Sequence, residues 1–416
     1  MNTTASILLC LSASAAAGLA ADPKFSRKEL SKFFWAEGAT FGDFNKDGKM
    51  DVAAGPYWYE APDFSKAHEF MPAKATFELK KDDGSVEKIP GFEGALGKEN
   101  KYSDNFFAFV RDFNTDGWDD ILIIGFPGEW SSWYENPKNK DGHWSRHNVL
   151  KVTDNESPTF TDITGDGKPE IVCCSGGTYG YAEPDWKDPA KEWKWNPVTS
   201  NKGYQRFTHG LGVGDINGDK RSDIIERDGW WEQPETLGGL WTQHPWKFNG
   251  GGAQMYAYDV NGDGLNDVIT SQAAHGYGLA WHKQVREGTE IKFVKQLFMN
   301  EKQEENKYGV RFGELHALDL VDMNGDGLKD IVTGKRFWSH GDHGDTKSET
   351  VSPLYWFELK RDGREVDWVP HLIDGESGVG TQVVAMDANG DHLPDVVVSN
   401  KRGTFVFFQQ KAQPQS

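Results

Sequence analysis

The amino-acid sequence predicts an all-β fold built from seven copies of one structural unit. The pattern DxNxDGxxD, followed by a β-branched run, recurs along the 416 residues, with the aromatic segments that follow it. A composition of 47 Gly, 17 Trp and 25 Phe is typical of short strands joined by tight turns. Self-similarity of this kind indicates a repeat architecture. The seven motifs begin at Asp43, Asp112, Asp162, Asp215, Asp259, Asp322 and Asp387.

Each copy carries the marks of four strands. One strand leads into the acidic motif, a second follows it, an aromatic strand comes next, and a WxxH segment marks an outer strand. Four consecutive strands form the blade of a β-propeller, so we predict a single seven-bladed β-propeller over residues 22–416. The last copy ends after its third strand, near Thr404, and we expect residues from about Lys24 to Lys32 to supply its fourth strand.

The first twenty-one residues are predicted to be a signal peptide. They contain no Lys, Arg, Asp or Glu and form an apolar segment that ends in small residues. We therefore expect a periplasmic or extracellular protein, and no later segment is long and apolar enough to predict a membrane span. Beyond the signal peptide the cysteines are Cys173 and Cys174, and because adjacent cysteines rarely pair, disulfides are not expected to stabilise the fold.

The acidic motif has the ligand pattern of a calcium loop. Carboxylate or amide oxygens stand at positions 1, 3, 5 and 9, a backbone carbonyl at position 7, and Gly at position 6 permits a sharp turn. The alternative is a set of turns that merely favour Asp and Gly. We predict up to seven structural Ca²⁺ ions, held more weakly where Lys220 and His392 replace the Gly. The predicted ligands are Asp43, Asn45, Asp47, Asp51; Asp112, Asn114, Asp116, Asp120; Asp162, Thr164, Asp166, Glu170; Asp215, Asn217, Asp219, Asp223; Asp259, Asn261, Asp263, Asp267; Asp322, Asn324, Asp326, Asp330; Asp387, Asn389, Asp391 and Asp395.

These loops also explain the acidic character of the chain. The net charge is −19, and three acidic residues in each loop leave the remainder near neutral. The charge therefore indicates metal sites and is no evidence for a cationic partner. With these motifs and aromatic strands the chain resembles the FG-GAP/VCBS repeat propellers over nearly all of its predicted mature length.

Two sets of the twelve histidines can be assigned, whereas His68 and His143 lie in polar connections with no identifiable partner, His392 lies in an acidic loop and His282 is ambiguous. His147, His244 and His371 occupy the same WxxH slot, so the repeat itself accounts for them. His209 and His316 each lie six residues before the first Asp of a motif, and His275 and His340 follow second strands. In a blade, both places open on the face opposite the acidic loops. His343 lies with His340 in WSHGDHGD, within the longest insertion on that face.

Three or four converging imidazoles predict a site for Zn²⁺ or another divalent first-row metal. The predicted ligands are His209, His275, His316 and His340. The alternative is that these histidines hydrogen-bond one another or bind sugar hydroxyls beside the aromatic residues Trp130, Tyr277 and Trp338.

The site favours an enzyme, a metal-dependent lyase or hydro-lyase that eliminates a β-substituent from a keto-sugar or keto-glycoside. The chain looks like the propeller part of the aldos-2-ulose dehydratases, and this resemblance implies a zinc in a propeller cleft and dehydration of keto-sugars. The cupin and lectin domains of that family are missing here, which places any isomerase step in doubt. Predicted catalytic helpers are Tyr277, Lys335, Arg336 and His343, with Glu37 and Glu314 as further options.

Two other functions stay open. A non-catalytic, calcium-stabilised propeller would bind a glycan or a protein without needing the histidines. A polysaccharide lyase acting on uronic acids would need a cationic cluster, for which the sequence offers Lys335, Arg336, Lys401 and Arg402. We expect a carbohydrate partner and no nucleic acid, since no nucleotide or phosphate motif is present. The sequence makes no prediction of oligomeric state.

Overall fold

The computed structural model describes residues 24–93, 102–337, 339–340 and 351–411. The predicted signal peptide, His343 and Trp338 lie outside these residues. The regular secondary structure of the described residues is β-strand, apart from a single short 3₁₀ turn at Gln303–Glu305. Among the described residues no helix has the length and hydropathy needed to cross a membrane.

The first half of the chain forms successive antiparallel strands, most of them short; the strand after each acidic motif is buried, whereas β1, β6 and β7 are largely exposed. The strands are β1 (Lys24–Ser31), β2 (Thr40–Gly42), β3 (Asp51–Ala54), β4 (Tyr57–Tyr59), β5 (Ala67–Glu69), β6 (Thr76–Lys80), β7 (Val86–Pro90), β8 (Phe107–Arg111), β9 (Asp120–Ile124), β10 (Glu129–Glu135), β11 (Ser145–Thr161), β12 (Glu170–Ser175), β13 (Thr178–Glu183) and β14 (Lys194–Pro197).

The second half continues the same pattern. Its strands are β15 (Leu211–Gly214), β16 (Asp223–Glu226), β17 (Gly229–Glu232), β18 (Thr242–Pro245), β19 (Gln254–Tyr258), β20 (Asp267–Ser271), β21 (Leu279–Glu287), β22 (Glu290–Met299), β23 (Leu318–Val321), β24 (Asp330–Gly334), β25 (Leu354–Asp362), β26 (Glu365–Asp374), β27 (Val383–Met386), β28 (Asp395–Asn400) and β29 (Gly403–Gln410).

Groups of four antiparallel strands repeat along the chain. They are β2 to β5, β8 to β11, β11 to β14, β15 to β18, β19 to β22, β23 to β26, and β27 to β29 completed by β1. The long strand β11 serves two groups, pairing with β10 through its first half and with β12 through its second. Strands β6 and β7 form a separate hairpin. This meander of antiparallel sheets is the all-β, propeller-like organisation that the repeats predicted.

The N-terminal strand completes the last sheet, as the sequence predicted. Strand β1 pairs antiparallel with β29 from Lys24 opposite Gln410 to Ser31 opposite Thr404. One buried cluster contains Phe41 and Val52 of the first group together with Val397 and Val406 of the last. The two ends of the chain are therefore packed together through a shared core.

The acidic motifs have the same internal geometry in every group. Each connects a first strand to a second, and its first Asp accepts hydrogen bonds from the backbone N–H groups at positions 5 and 6. The buried acid at position 9 accepts the backbone N–H of position 2. Lys220 and His392, at position 6, adopt the left-handed backbone (φ 70° and 69°) that Gly adopts elsewhere.

A stacked Trp–His pair recurs on the outer strands. The rings of Trp133 and His147 are 4.3 Å apart, and His244 and His371 stack in the same way on Trp230 and Trp356. Each imidazole Nε2 also contacts the carboxylate two residues after its Trp, at 2.7 to 3.0 Å. This agrees with the structural role expected of the WxxH histidines. His68, for which the sequence indicated no partner, makes the same stack on Trp58 at 3.9 Å.

Candidate metal centre

Three of the predicted histidines converge in space. His209 lies just before β15, His316 just before β23, and His275 in the connection from β20 to β21. In an antiparallel group, the start of the first strand and the second connection lie at the same end, away from the acidic loop. One ligand atom from each imidazole lies within 4.8 Å of the others. The arrangement can hold a metal ion, which matches the convergence expected from the repeat register.

His340 lies beside this group of three. Its ring stacks on that of His275, with centroids 4.5 Å apart and planes at 11°. His340 is exposed, and it is not among the residues whose ligand atoms lie within 4.8 Å of one another. The structure therefore brings together three of the four predicted ligands and places the fourth against their edge.

The hydrogen bonds of the histidines leave ring nitrogens available for a ligand. His209 donates from Nδ1 to the carbonyl oxygen of Phe207 at 2.8 Å, which leaves Nε2 unprotonated in the neutral ring. The Nε2 atoms of His209 and His316 are buried, and the described residues offer neither of them a hydrogen-bond partner. Burial lowers the pKa of His316 well below its ordinary value, and Arg336 and the other two imidazoles lower it further. A neutral imidazole with a fixed tautomer is the form that binds a metal.

Glu314 links the segments that carry the histidines. Its backbone N–H donates to the carbonyl of Gly276, next to His275, and its own carbonyl accepts the N–H groups of His316 and Arg336. Its carboxylate accepts hydrogen bonds from Lys335 Nζ at 2.8 Å and from Ser339 Oγ at 2.9 Å. Glu314 is fully buried with a left-handed backbone (φ 56°), a conformation that persists only where its surroundings enforce it.

The predicted helpers Lys335 and Arg336 lie in buried ion pairs. Each is about 1% exposed. Lys335 pairs with Glu314, whereas the Arg336 guanidinium contacts Glu37 at 2.8 Å and Glu156 at 3.5 Å. Both cations are therefore held by carboxylates of this chain, so their effect on the site is electrostatic and positional.

Glu156 is a site residue that the sequence analysis missed. It lies six residues before Asp162, the register that His209 and His316 hold before their own motifs and Glu37 holds before Asp43. The signal was present in the sequence, but only histidines were compared by their distance from the acidic motif, and Glu156 is not a histidine. Applying the same offset to every copy would have found it.

Tyr277 and Lys401 lie in connections on the histidine side of their groups. Tyr277 is two residues from His275, and its ring lies beneath the Arg311 guanidinium at 5.1 Å. The Lys401 ammonium lies 5.0 Å from the centre of the Tyr102 ring, and burial lowers the pKa of Lys401 to about 8. A lysine with this pKa exchanges its proton near neutral pH.

The acidic loops have a donor set suited to a hard cation. In six loops burial, with repulsion from the acids at positions 5 and 1, raises the pKa of the position 9 carboxyl to about 7, and in the last loop to about 6. A cation would relieve this repulsion. In the fourth loop Arg221 contacts the carboxylate of Asp219, so a cation of the chain already offsets part of that loop's charge.

Comparison with known proteins supports the repeats. A family model described as FG-GAP-like repeat matches residues 112–173 and 322–398. No curated protein matches the chain. A solved lectin from Agrocybe aegerita that recognises non-reducing terminal N-acetylglucosamine is 15% identical, with a TM-score of 0.43 over 95% of this chain and 87% of the lectin.

Two other solved structures have similar scores. The exotype rhamnogalacturonan lyase YesX is 11% identical over 94% of this chain and 75% of its own, with a TM-score of 0.43. BBS1N, solved with ARL6DN, is 10% identical over 95% and 99%, with a TM-score of 0.47. The chain thus carries FG-GAP-like repeats in an all-β, propeller-like fold.

Proposed function

We propose that this protein is a metal-dependent carbohydrate lyase or hydro-lyase that acts on a keto-sugar or keto-glycoside. The observation that carries the proposal is the group of His209, His275 and His316, with ligand atoms within 4.8 Å of one another. Three imidazoles with room for a further ligand are the donor set of a catalytic zinc or similar metal.

The proposed reaction is a β-elimination. A metal held by the three imidazoles would supply Lewis-acid polarisation of the substrate carbonyl, which acidifies the neighbouring C–H bond. A base of the chain takes that proton, the electron pair forms a C=C bond, and the β-oxygen leaves and is protonated. Lys401 and Tyr277 are the candidates for these proton transfers, because Lys401 changes protonation near pH 8 and Tyr277 adjoins His275.

The wider proposal concerns the scaffold. The repeated four-stranded groups and the pairing of β1 with β29 support a seven-bladed propeller. The repeated Asp geometry and the raised pKa of the position 9 acids support Ca²⁺ in the acidic loops. Export to the periplasm or outside the cell rests on the apolar first twenty-one residues.

Non-catalytic glycan binding is the second candidate. Phe207 is 43% exposed, and the carbonyl of the same residue accepts the Nδ1–H of His209. An exposed aromatic residue in the segment that carries His209 is suited to stacking on a sugar ring. Uronate elimination is less favoured, because Lys335 and Arg336 of the required cationic cluster are already paired with carboxylates of this chain.

The decisive experiment measures bound transition metal in the wild type, in His316→Ala and in His371→Ala, with Ca²⁺ saturating. His371→Ala is the matched control, since it removes an imidazole from an outer-strand stack. We expect about one ion per chain in the wild type and control, and loss of it in His316→Ala. Keto-sugars are then screened for an ultraviolet-absorbing enone product. A wild type without a transition metal, or turnover that survives His316→Ala, would overturn the proposal.

A further inference from the structure

A buried carboxylate lies beside His209, one of the three histidines. The Glu156 Oε2 atom is 3.6 Å from His209 Nε2 and 3.5 Å from Arg336 Nη1. The Glu156 side chain is 9% exposed. Because His209 Nδ1 donates to the Phe207 carbonyl, Nε2 is the ring nitrogen that is free to bind a metal, and it is the one that faces this carboxylate.

The backbone fixes this approach. The N–H of Glu156 donates to the carbonyl of Thr208 at 2.9 Å, and the N–H of Asn155 donates to the carbonyl of Arg206 at 3.1 Å. These bonds run between the segments that carry Glu156 and His209. Glu156 and His209 each lie six residues before an acidic motif, and the backbone hydrogen bonds hold their two segments side by side. A surface ion pair would not require such backbone support.

The separation is that of two ligands around one ion. With metal–ligand bonds of about 2.0 to 2.2 Å, adjacent ligand atoms stand roughly 3 to 3.6 Å apart. The same Glu156 oxygen, Oε2, also accepts from Arg336 Nη1 at 3.5 Å, and Glu37 holds Arg336 in turn at 2.8 Å. Ligating carboxylates are commonly anchored by such outer hydrogen bonds.

We propose that Glu156, which lies outside the 4.8 Å group of ligand atoms but 3.6 Å from His209 Nε2, joins the three histidines as an oxygen ligand when a metal binds, so that a substrate oxygen would be a fifth ligand. This inference rests on the proposed function and specifies its metal. A mixed nitrogen and oxygen set disfavours soft ions such as Cu(I) and suits Zn²⁺, Fe²⁺ or Mn²⁺. The carboxylate offsets part of the ion's charge, and Arg336 and Glu37 act as positioning residues for it.

The test compares Glu156→Gln with Glu37→Gln. Both variants remove one carboxylate charge that faces Arg336, but only Glu156 adjoins His209. Zn²⁺ and Mn²⁺ affinities are measured by chelator competition with Ca²⁺ saturating, and the absorption spectrum of the Co²⁺-loaded protein reports the ligand set. We expect Glu156→Gln to lower affinity by on the order of 100-fold and to shift the Co²⁺ spectrum, and Glu37→Gln to lower affinity by about 10-fold or less.

A rescue variant distinguishes the loss of a metal ligand from a defect in folding. Glu156→His replaces the carboxylate by another metal ligand, so it should recover most of the affinity that Glu156→Gln loses. Equal affinity and identical spectra for Glu156→Gln and Glu37→Gln, in a wild type that binds metal, would overturn the ligand assignment alone. A wild type that takes up no transition metal would overturn the proposed function together with this inference.

Discussion

At the scale of single residues, the site depends on buried charges that satisfy one another. Glu314 and Lys335 are both buried, and Lys335 Nζ lies 2.8 Å from Glu314 Oε1. Removing either charge therefore leaves the other one buried without this ion pair. The desolvation cost of such an orphan exceeds the value of the pair itself.

Removing the carboxylate of Glu314 should expose this dependence. We expect Glu314→Gln to lower the free energy of unfolding by about 3 kcal/mol, because Lys335 keeps its charge in a buried position. The double variant Glu314→Gln with Lys335→Met should be more stable than Glu314→Gln alone. Urea denaturation of both variants and of Lys335→Met completes the cycle, and strictly additive losses would contradict the coupling.

The residues also mark the limit of sequence reasoning. His209 and His316 could be placed together because each lies the same number of residues before an acidic motif, which puts both at the same end of the first strand of their groups. The burial of Arg336 could not be predicted, since its partners Glu37 and Glu156 come from sheets far away in the sequence. Its carboxylate partners become visible only when the separate sheets are assembled.

At the scale of elements, the acidic loops keep one backbone shape despite differences in sequence. Position 6 is left-handed in every motif, including the two where a side chain is present, with φ of 70° at Lys220 and 69° at His392. The hydrogen bonds to the first Asp enforce this shape. The pattern of acids thus sets the loop geometry, and Gly at position 6 only lowers the conformational free energy that the left-handed backbone costs.

Replacing the side chain at position 6 should stabilise the protein. A left-handed backbone costs a non-Gly residue about 1 to 2 kcal/mol, and Gly gives back roughly 0.5 to 1 kcal/mol through unfolded-state entropy. We therefore expect His392→Gly to raise the free energy of unfolding by about 0.5 to 1 kcal/mol. The His392 side chain is 96% exposed, so no packing is lost. Denaturant titration in saturating Ca²⁺ measures the effect, and Gly327→Ala, the reverse change at φ 86°, should be destabilising.

At the scale of the whole molecule, the repeat predicted the order of the strands and the pairing of the two chain ends. It did not predict the β6–β7 hairpin or the continuous strand β11, because both lie in connections that contain no repeated motif. The number of repeats sets the architecture, whereas the structure of each insertion depends on local contacts that the repeated motif does not specify.

The loops should also give the whole molecule a pH dependence that Ca²⁺ reverses. The position 9 acids have pKa values raised to about 7 in the folded chain, well above the value of about 4 for a free carboxyl. In calcium-free buffer the folded state binds more protons than the unfolded state between these values, so stability falls as pH rises from about 4 to 7. A Ca²⁺ ion bound to the ionised loops, as proposed above, should remove this loss.

The measurement is thermal unfolding at pH 5 and pH 8, with Ca²⁺ or with a chelator. We expect the rise in Tm on adding Ca²⁺ to be larger at pH 8, by about 5 °C or more. Mg²⁺ at equal concentration is the control, because its smaller, octahedral coordination suits this donor set poorly. A rise in Tm that is the same at both pH values would contradict the predicted linkage.

The pairing of β1 with β29 also sets a sequence of events during folding. The other four-stranded groups form from consecutive strands, whereas this one pairs β1 with β29 across most of the described chain and therefore carries a large loop-closure entropy. Each local sheet can fold as soon as its own strands exist. The final sheet must wait for the last strand, so β1 keeps an open, pairing-competent edge until β29 arrives. Protection of that edge during synthesis is thus a requirement built into the topology.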